Sequence, residues 1–225
     1  VIHATTMNHS GGFYCYRVHE PKLNGLCGSN GFLSVKNFLQ QVFHERPDEY
    51  FHKGPRSSML KFKLPCDPLQ VQGHEVSTLA RLGLELNKDR FKDAHSQVQM
   101  YMLEHDQHTI AMEVPLWLEK EELESYKRIM ESTQPLTGHI DVLRVEGDKV
   151  WIWDYKPNAH KEKFAATQVY FYALMLSRRT QLALDHFRCG YFDAKTAFVF
   201  QPTQQLITKN MELTTFSHLG ASPKP

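Results

Sequence analysis

The feature that most constrains this chain is a pair of alternating runs on either side of Glu146-Gly147-Asp148-Lys149. Residues 138–145 and 150–156 read as two strands of alternating face, the second opening on the apolar Val150-Trp151-Ile152-Trp153, and a Gly-Asp pair between such runs favours a two-residue hairpin turn of type I′ or II′. With Gly147 and Asp148 as the turn, Val145 opposes Val150, Leu143 opposes Ile152, Asp141 opposes Asp154 and His139 opposes Lys156. Strand side chains alternate between faces, so these pairs share one face, which runs from apolar at the turn to charged at the open end. Opposed residues carry Cβ atoms roughly 4.5 to 5.5 Å apart, and like charges so placed destabilise a ladder. Two readings answer that repulsion. A divalent cation can sit between hard carboxylate oxygens, as Mg²⁺ or Mn²⁺ would; alternatively, Lys156 neutralises one carboxylate in a solvated cluster at a sheet edge. A one-residue bulge would send one aspartate to the other face.

The remaining pattern is that of an ordinary globular chain. Its 225 residues, 41% hydrophobic, suffice for one sizeable core. No apolar run approaches a membrane span of about 20 residues, and the start lacks a basic segment followed by an apolar signal core. No membrane association is expected, and a cytoplasmic location is. Opening on Val1 rather than methionine is compatible with processing or trimming. Cysteines 15, 27, 66 and 189 form no Cys-x-x-Cys pair, so isolated reduced thiols are expected. A net charge of +1 gives no global pull toward nucleic acid, so any polyanion site must be local. The clearest candidate is Lys53, Arg56, Lys61 and Lys63, a stretch without an acid and with Phe62 interleaved; a solvated loop is the plainer reading.

Along the chain, residues 1–31 are rich in Gly, Asn, His and Ser and read as an irregular or strand-containing entry. A helix capped by Ser34 is expected over 34–44, then a loop punctuated by prolines, then helices over about 72–86 and 88–104. Residues 109–118 read as a strand, with Glu113 a surface glutamate on it or, alternatively, a supporting carboxylate. A charged surface helix over 119–130, the hairpin, a broadly apolar helix over 161–178, strands over 187–192 and 196–200 and a tail frayed from 220 complete the order. The fold class is therefore α/β, a central mixed β-sheet flanked by α-helices. An N-terminal extension, 1–70, is expected to pack on a core spanning 71–225.

Three motifs in order carry a resemblance. Gly138-His139-Ile140-Asp141, then Asp154-Tyr155-Lys156, then Gln168-x-x-x-Tyr172 resemble the PD-(D/E)xK nuclease superfamily, specifically its RecB-like exonuclease branch. The resemblance covers about 91–200. It implies a restriction-endonuclease-like core and a Mg²⁺- or Mn²⁺-dependent DNA nuclease, an exonuclease of repair, recombination or mobile-element processing. An endonuclease on the same fold and a non-catalytic nucleic-acid-binding domain are the alternatives. It further implies that Asp141 and Asp154 hold the metal, that the Tyr155 carbonyl adds a ligand, and that Lys156 serves the attacking water or the scissile phosphate. Gln168 and Tyr172, one helical turn apart, would hydrogen-bond the substrate backbone or brace the catalytic strand. The branch also places a metal-binding histidine on an earlier helix. His95 is the preferred match and His74-Glu75 the competitor, although a lone helix histidine is usually a core or surface residue. Single- or double-stranded DNA is the implied partner, and a homo-oligomer is compatible with related exonucleases. Two departures stand out: the second acid is aspartate rather than the more frequent glutamate, and only Cys189 is late, so no iron-sulfur cluster is expected.

Overall fold

The computed structural model describes residues 1–122 and 132–207. Eight strands form one sheet: β1 (Ile2–His9), β2 (Gly12–His19), β3 (Leu69–Gln72), β4 (Thr109–Leu118), β5 (Leu136–Glu146), β6 (Lys149–Tyr155), β7 (Phe187–Phe192) and β8 (Thr196–Phe200). Their spatial order is β1-β2-β4-β5-β6-β7-β8-β3. Only β6 and β7 run parallel, as their joining helix requires, and every other neighbour is antiparallel. This is the central mixed sheet that the alternating segments predict. Helices α1 (Glu20–Ser29), α2 (Leu33–Gln41), α3 (Asp48–Lys53), α4 (Glu75–Leu86), α5 (Ala94–His105) and α6 (Ala165–Thr180) surround it.

The two faces of the β5–β6 hairpin are covered by different helices because strand side chains alternate. Leu143, Val145, Val150 and Ile152 pack into the larger core with α6, α2 and α1. Val142, Trp153 and Tyr155 turn the other way, onto Val76 and Ala80 of α4 and Val98 and Met102 of α5. Helix α6 is buried on nearly every side, which explains why its apolar residues follow no narrow stripe.

Turn chemistry sets both hairpins. Gly147 takes φ +56° while Asp148 stays negative, which selects the type II′ option. Ser10 and Gly11 both lie at positive φ, +50° and +85°, the I′ signature, so β1 and β2 pair from Ile2↔His19 to His9↔Gly12. Residues 1–31 are thus more regular than their polar composition suggests, and the β1–β2 hairpin extends the central sheet through β4. Strand β3, four residues between Pro68 and Gly73, carries too short a pattern to be read.

Four helix starts differ from expectation, the first being α4, which begins at Glu75 rather than near 72 because Gln72 ends β3 and the His74 side chain caps the helix. Ser34 is not a cap: α2 begins at Leu33 after Phe32, without a side-chain cap. Helix α5 starts only at Ala94, because the Asp93 side chain accepts the Ser96 N–H at 2.7 Å and opens the helix there. Helix α6 starts at Ala165 after a separate 3₁₀ turn, Ala159–Lys161. The expected helix over 119–130 and the frayed tail from 220 fall, beyond residue 122 and residue 207, outside the described residues. Among the described residues no helix is long and apolar enough to cross a membrane.

Candidate active site

The expected register holds from Glu146↔Lys149 to Val142↔Trp153 and stops there. Beyond that point β5 continues against β4, with Ile140↔Val114 and His139↔Pro115, while β6 continues against β7, with Asp154↔Tyr191 and Tyr155↔Phe192. The sheet forks. His139 therefore does not oppose Lys156, as a continued hairpin would require: β6 ends at Tyr155, and the Lys156 N–H donates to the Phe192 carbonyl at 2.8 Å. Asp141 and Asp154 sit at the base of the fork, and the Asp141 carboxylate closes it by accepting the Tyr155 N–H at 2.9 Å.

A third carboxylate joins them. Glu113 lies between the Met112–Val142 and Val114–Ile140 pairs, at the position opposite Asp141. It is held at φ +53°, a conformation costly for a side-chain-bearing residue and concentrated at functional sites. Its carboxylate is nearly buried and accepts from Gln99 Nε2 at 2.7 Å, so the surface reading of Glu113 is overturned. On the far side of Glu113 stands His139, with Nδ1 3.9 Å from Oε2 and Nε2 2.8 Å from His9 Nδ1. His9 continues to the Thr137 hydroxyl at 2.9 Å. Burial keeps both rings neutral, His139 well below the ordinary histidine range and His9 down at about 4.

Lys156 neutralises Asp154, Nζ to Oδ2 at 2.6 Å, as the simpler reading of the hairpin requires. That accounts for one carboxylate of three. Burial, reinforced by Asp154 and Glu113, pushes the Asp141 carboxyl well above its usual range, and burial together with Asp154 pushes Glu113 up to about 7. Burial alone would lower the Lys156 ammonium; Asp154 and Asp141 outweigh it and hold the charge more firmly than in water. The pocket is thus short of positive charge, and a divalent cation is the ligand its chemistry fits. Carboxylate oxygens are the donors that hard cations such as Mg²⁺ and Mn²⁺ accept. Among the described residues no group of three or more His, Cys, Asp or Glu side chains is arranged to hold a metal ion.

The two helices supply the remaining groups. His95 of α5 places Nε2 3.9 Å from Asp141 Oδ2 and packs edge-on against Tyr155. Its competitors are engaged elsewhere: His74 caps α4 through the Val76 N–H, and Glu75 pairs with Arg144 at 2.7 Å. From α6, Gln168 Nε2 reaches Asp154 Oδ1 at 3.3 Å and the Tyr172 hydroxyl at 2.7 Å. Tyr172 in turn lies on Gly138, where an added Cβ would stand 2.4 Å from its ring and 2.8 Å from Ser57 Oγ. The glycine of the first motif thereby makes room for the tyrosine of the third. Gly138→Ala is expected to cost about 1–3 kcal/mol of stability by overpacking and to loosen the Gln168–Asp154 contact. Urea unfolding of the variant checks this, and unchanged stability would deny the close fit.

These groups line a cleft of about 520 Å³. Of the four basic residues in the 53–63 stretch, only Arg56 reaches it, donating to the Tyr14 hydroxyl and lying over that ring. Lys53 ends α3 exposed, Lys61 lies over Phe164, and Lys63 lines a separate groove with Lys161 and Lys163. The N-terminal hairpin contributes Phe13, Tyr14 and Arg17 to the cleft, none of which the sequence reading singled out. Their only signal was the glycine-rich turn after His9.

Comparison with known proteins agrees with this geometry at one level. A family model described as the PD-(D/E)XK nuclease superfamily matches residues 49–217, three quarters of the chain. A search of the curated proteins returns no match.

Proposed function

The chain belongs to the PD-(D/E)XK nuclease superfamily, whose nucleases typically use divalent metals such as Mg²⁺, and from that premise we propose a Mg²⁺- or Mn²⁺-dependent deoxyribonuclease of the RecB-like kind. The reading is of an exonuclease in DNA repair, recombination or mobile-element processing, acting in the cytoplasm. One observation carries it: Asp141, Asp154 and Lys156 converge at a sheet fork with Gln168 and Tyr172 behind them.

Phosphodiester hydrolysis is slow because the anionic ester repels hydroxide and the leaving alkoxide is poor. A bound divalent ion would supply Lewis-acid polarisation of the phosphoryl oxygen and a more acidic water. Asp141 and Asp154 would hold it, with His95 and the Tyr155 carbonyl as further ligands. Lys156, kept protonated by its carboxylate neighbours, orients the attacking water by hydrogen bond or offsets charge growing on the phosphoryl oxygens. Gln168 fixes Asp154 through its amide, and Tyr172 fixes Gln168, so the acid presents one orientation to the ion. Arg56 is placed for a phosphate contact within the cleft, while Lys53, Lys61 and Lys63 would serve the strand outside it.

End-labelled linear and closed circular DNA, incubated with and without Mn²⁺, test the proposal. An exonuclease degrades only the linear form, and only with metal. Cut circles would assign an endonuclease instead, and absence of cleavage with retained binding would leave a nucleic-acid-binding domain.

A further inference from the structure

Phe13 is 84% exposed, the most exposed of the large apolar side chains in the folded strands and helices described. Single exposed apolar residues are commonplace. This one lies on the wall of the catalytic cleft rather than at a random point of the surface. Strand β2 explains its orientation: Tyr16 and Val18 turn into the core, so Phe13, Cys15 and Arg17 present the opposite face. The type I′ turn at Ser10-Gly11 ties β2 to β1 next to Phe13, whose cross-strand partner is Asn8, so the ring stands on a paired strand and not on a loose loop.

Positive charge accompanies it. Arg17 follows four residues along the same strand, about 13 Å away at strand rise, and Arg56 lines the same cleft from beyond α3. Among the described residues neither arginine belongs to an ion pair. An exposed aromatic side chain lining one cleft with two guanidinium groups that have no carboxylate partner among the described residues, Arg56 resting on Tyr14, matches one ligand chemistry. Aromatic rings bind bases by stacking, independent of sequence, while arginines hold the flanking phosphates. Inside a duplex both faces of a base are already covered by neighbours. Apart from the outer face of a terminal pair, only an unpaired base offers a free face.

Building on the nuclease reading above, we propose that Phe13 is a stacking platform for an unpaired base of the substrate strand, with Arg17 and Arg56 on adjacent phosphates. The chain would accordingly prefer single-stranded DNA or an unpaired end over a blunt duplex.

The test is fluorescence anisotropy in EDTA with three labelled probes: an oligothymidylate, the same backbone made abasic, and a blunt duplex. Phe13→Ala is expected to weaken oligothymidylate binding about tenfold, with Phe13→Trp restoring it. Affinity for the abasic strand should be the same in wild type and Phe13→Ala, and melting should be unchanged, since the ring is not in the core. Equal oligothymidylate binding by Phe13→Ala and wild type would overturn the platform. So would equal losses on the abasic strand, or a loss on the blunt duplex as large as on the single strand. A parallel cleavage assay of the wild type in Mn²⁺ keeps the two levels apart. Cleavage with no Phe13 effect sinks the platform alone, whereas absence of both cleavage and binding sinks the nuclease reading beneath it.

Discussion

Asp154→Asn is expected to abolish Mn²⁺-dependent DNA cleavage while the protein remains folded. The side chain is 1% exposed, and asparagine has nearly its shape, so no cavity opens. What changes is charge. Asparagine offers one neutral carbonyl oxygen where the carboxylate gave two anionic ones, and a hard divalent ion loses a principal ligand. Lys156 also loses its 2.6 Å partner, although Asp141 still favours its charged form, so the ammonium is not left alone. Lys156→Ala removes the other half of the pair. Loss of one donor to developing charge typically costs about 10²- to 10³-fold in rate, so this variant should retain metal binding yet turn over at or below that level. Cleavage of end-labelled DNA, melting curves and Mn²⁺ calorimetry on both variants separate the roles. Full activity in either one would take that residue out of the mechanism, and undiminished Mn²⁺ binding by Asp154→Asn would remove it as a ligand.

The site was only partly legible before the fold was known, and the division has a physical cause. Local chemistry carried the hairpin: Gly-Asp turn geometry and period-2 alternation fix the register from Glu146↔Lys149 to Val142↔Trp153. The divergence beyond it is not written in the turn: the Asp141 carboxylate takes the Tyr155 N–H, and the Lys156 N–H goes to the Phe192 carbonyl on β7. Extrapolating the hairpin therefore put Asp141 and Asp154 in one cleft, as the fold does, but through register pairs, Asp141 with Asp154 and His139 with Lys156, that the sheet does not make. Glu113 was misjudged for a related reason. In an alternating strand a glutamate reads as solvent-facing, and nothing local announces the positive φ or the buried contacts with Gln99 and His139. The motif resemblance already favoured His95 over His74, and in the fold His95 Nε2 lies 3.9 Å from Asp141 whereas His74 caps α4. The helix ends moved where a capping side chain, Asp93 in particular, overruled periodicity.

Arg144→Met should have the largest effect on stability, although the residue lies outside the cleft. Its side chain is fully buried, and it donates to Asp106 through Nε at 2.8 Å and Nη2 at 3.2 Å and to Glu75 at 2.7 Å. Glu146 completes the cluster at 2.7 Å. Methionine fills comparable volume but removes the guanidinium that donates to the buried Asp106 carboxylate, leaving only Lys22, whose ammonium donates to the Asp106 backbone carbonyl at 2.6 Å, as a cation against it among the described residues. Breaking such a pair from one side costs about 3–5 kcal/mol, whereas replacing both partners by apolar groups can be nearly neutral. Urea unfolding at neutral pH should show that loss, and Arg144→Met combined with Asp106→Leu should recover much of it. Acidity offers a second check. Burial alone would raise the Asp106 carboxyl, but its bonds to Arg144 and Thr109 outweigh that and hold it below the usual range. A depressed carboxyl contributes stability above its unfolded value of about 3.9 and loses that contribution as pH falls through the folded one. The gap between wild type and Arg144→Met should therefore narrow on acidification through that window. A gap that stays constant, or a double variant no better than the single, would mean that methionine packing rather than the stranded carboxylate sets the cost. Glu75 is the control within the same cluster: it is exposed, so Glu75→Ala should cost about 1 kcal/mol at most and leave cleavage intact, as expected of a residue that serves Arg144 rather than a metal.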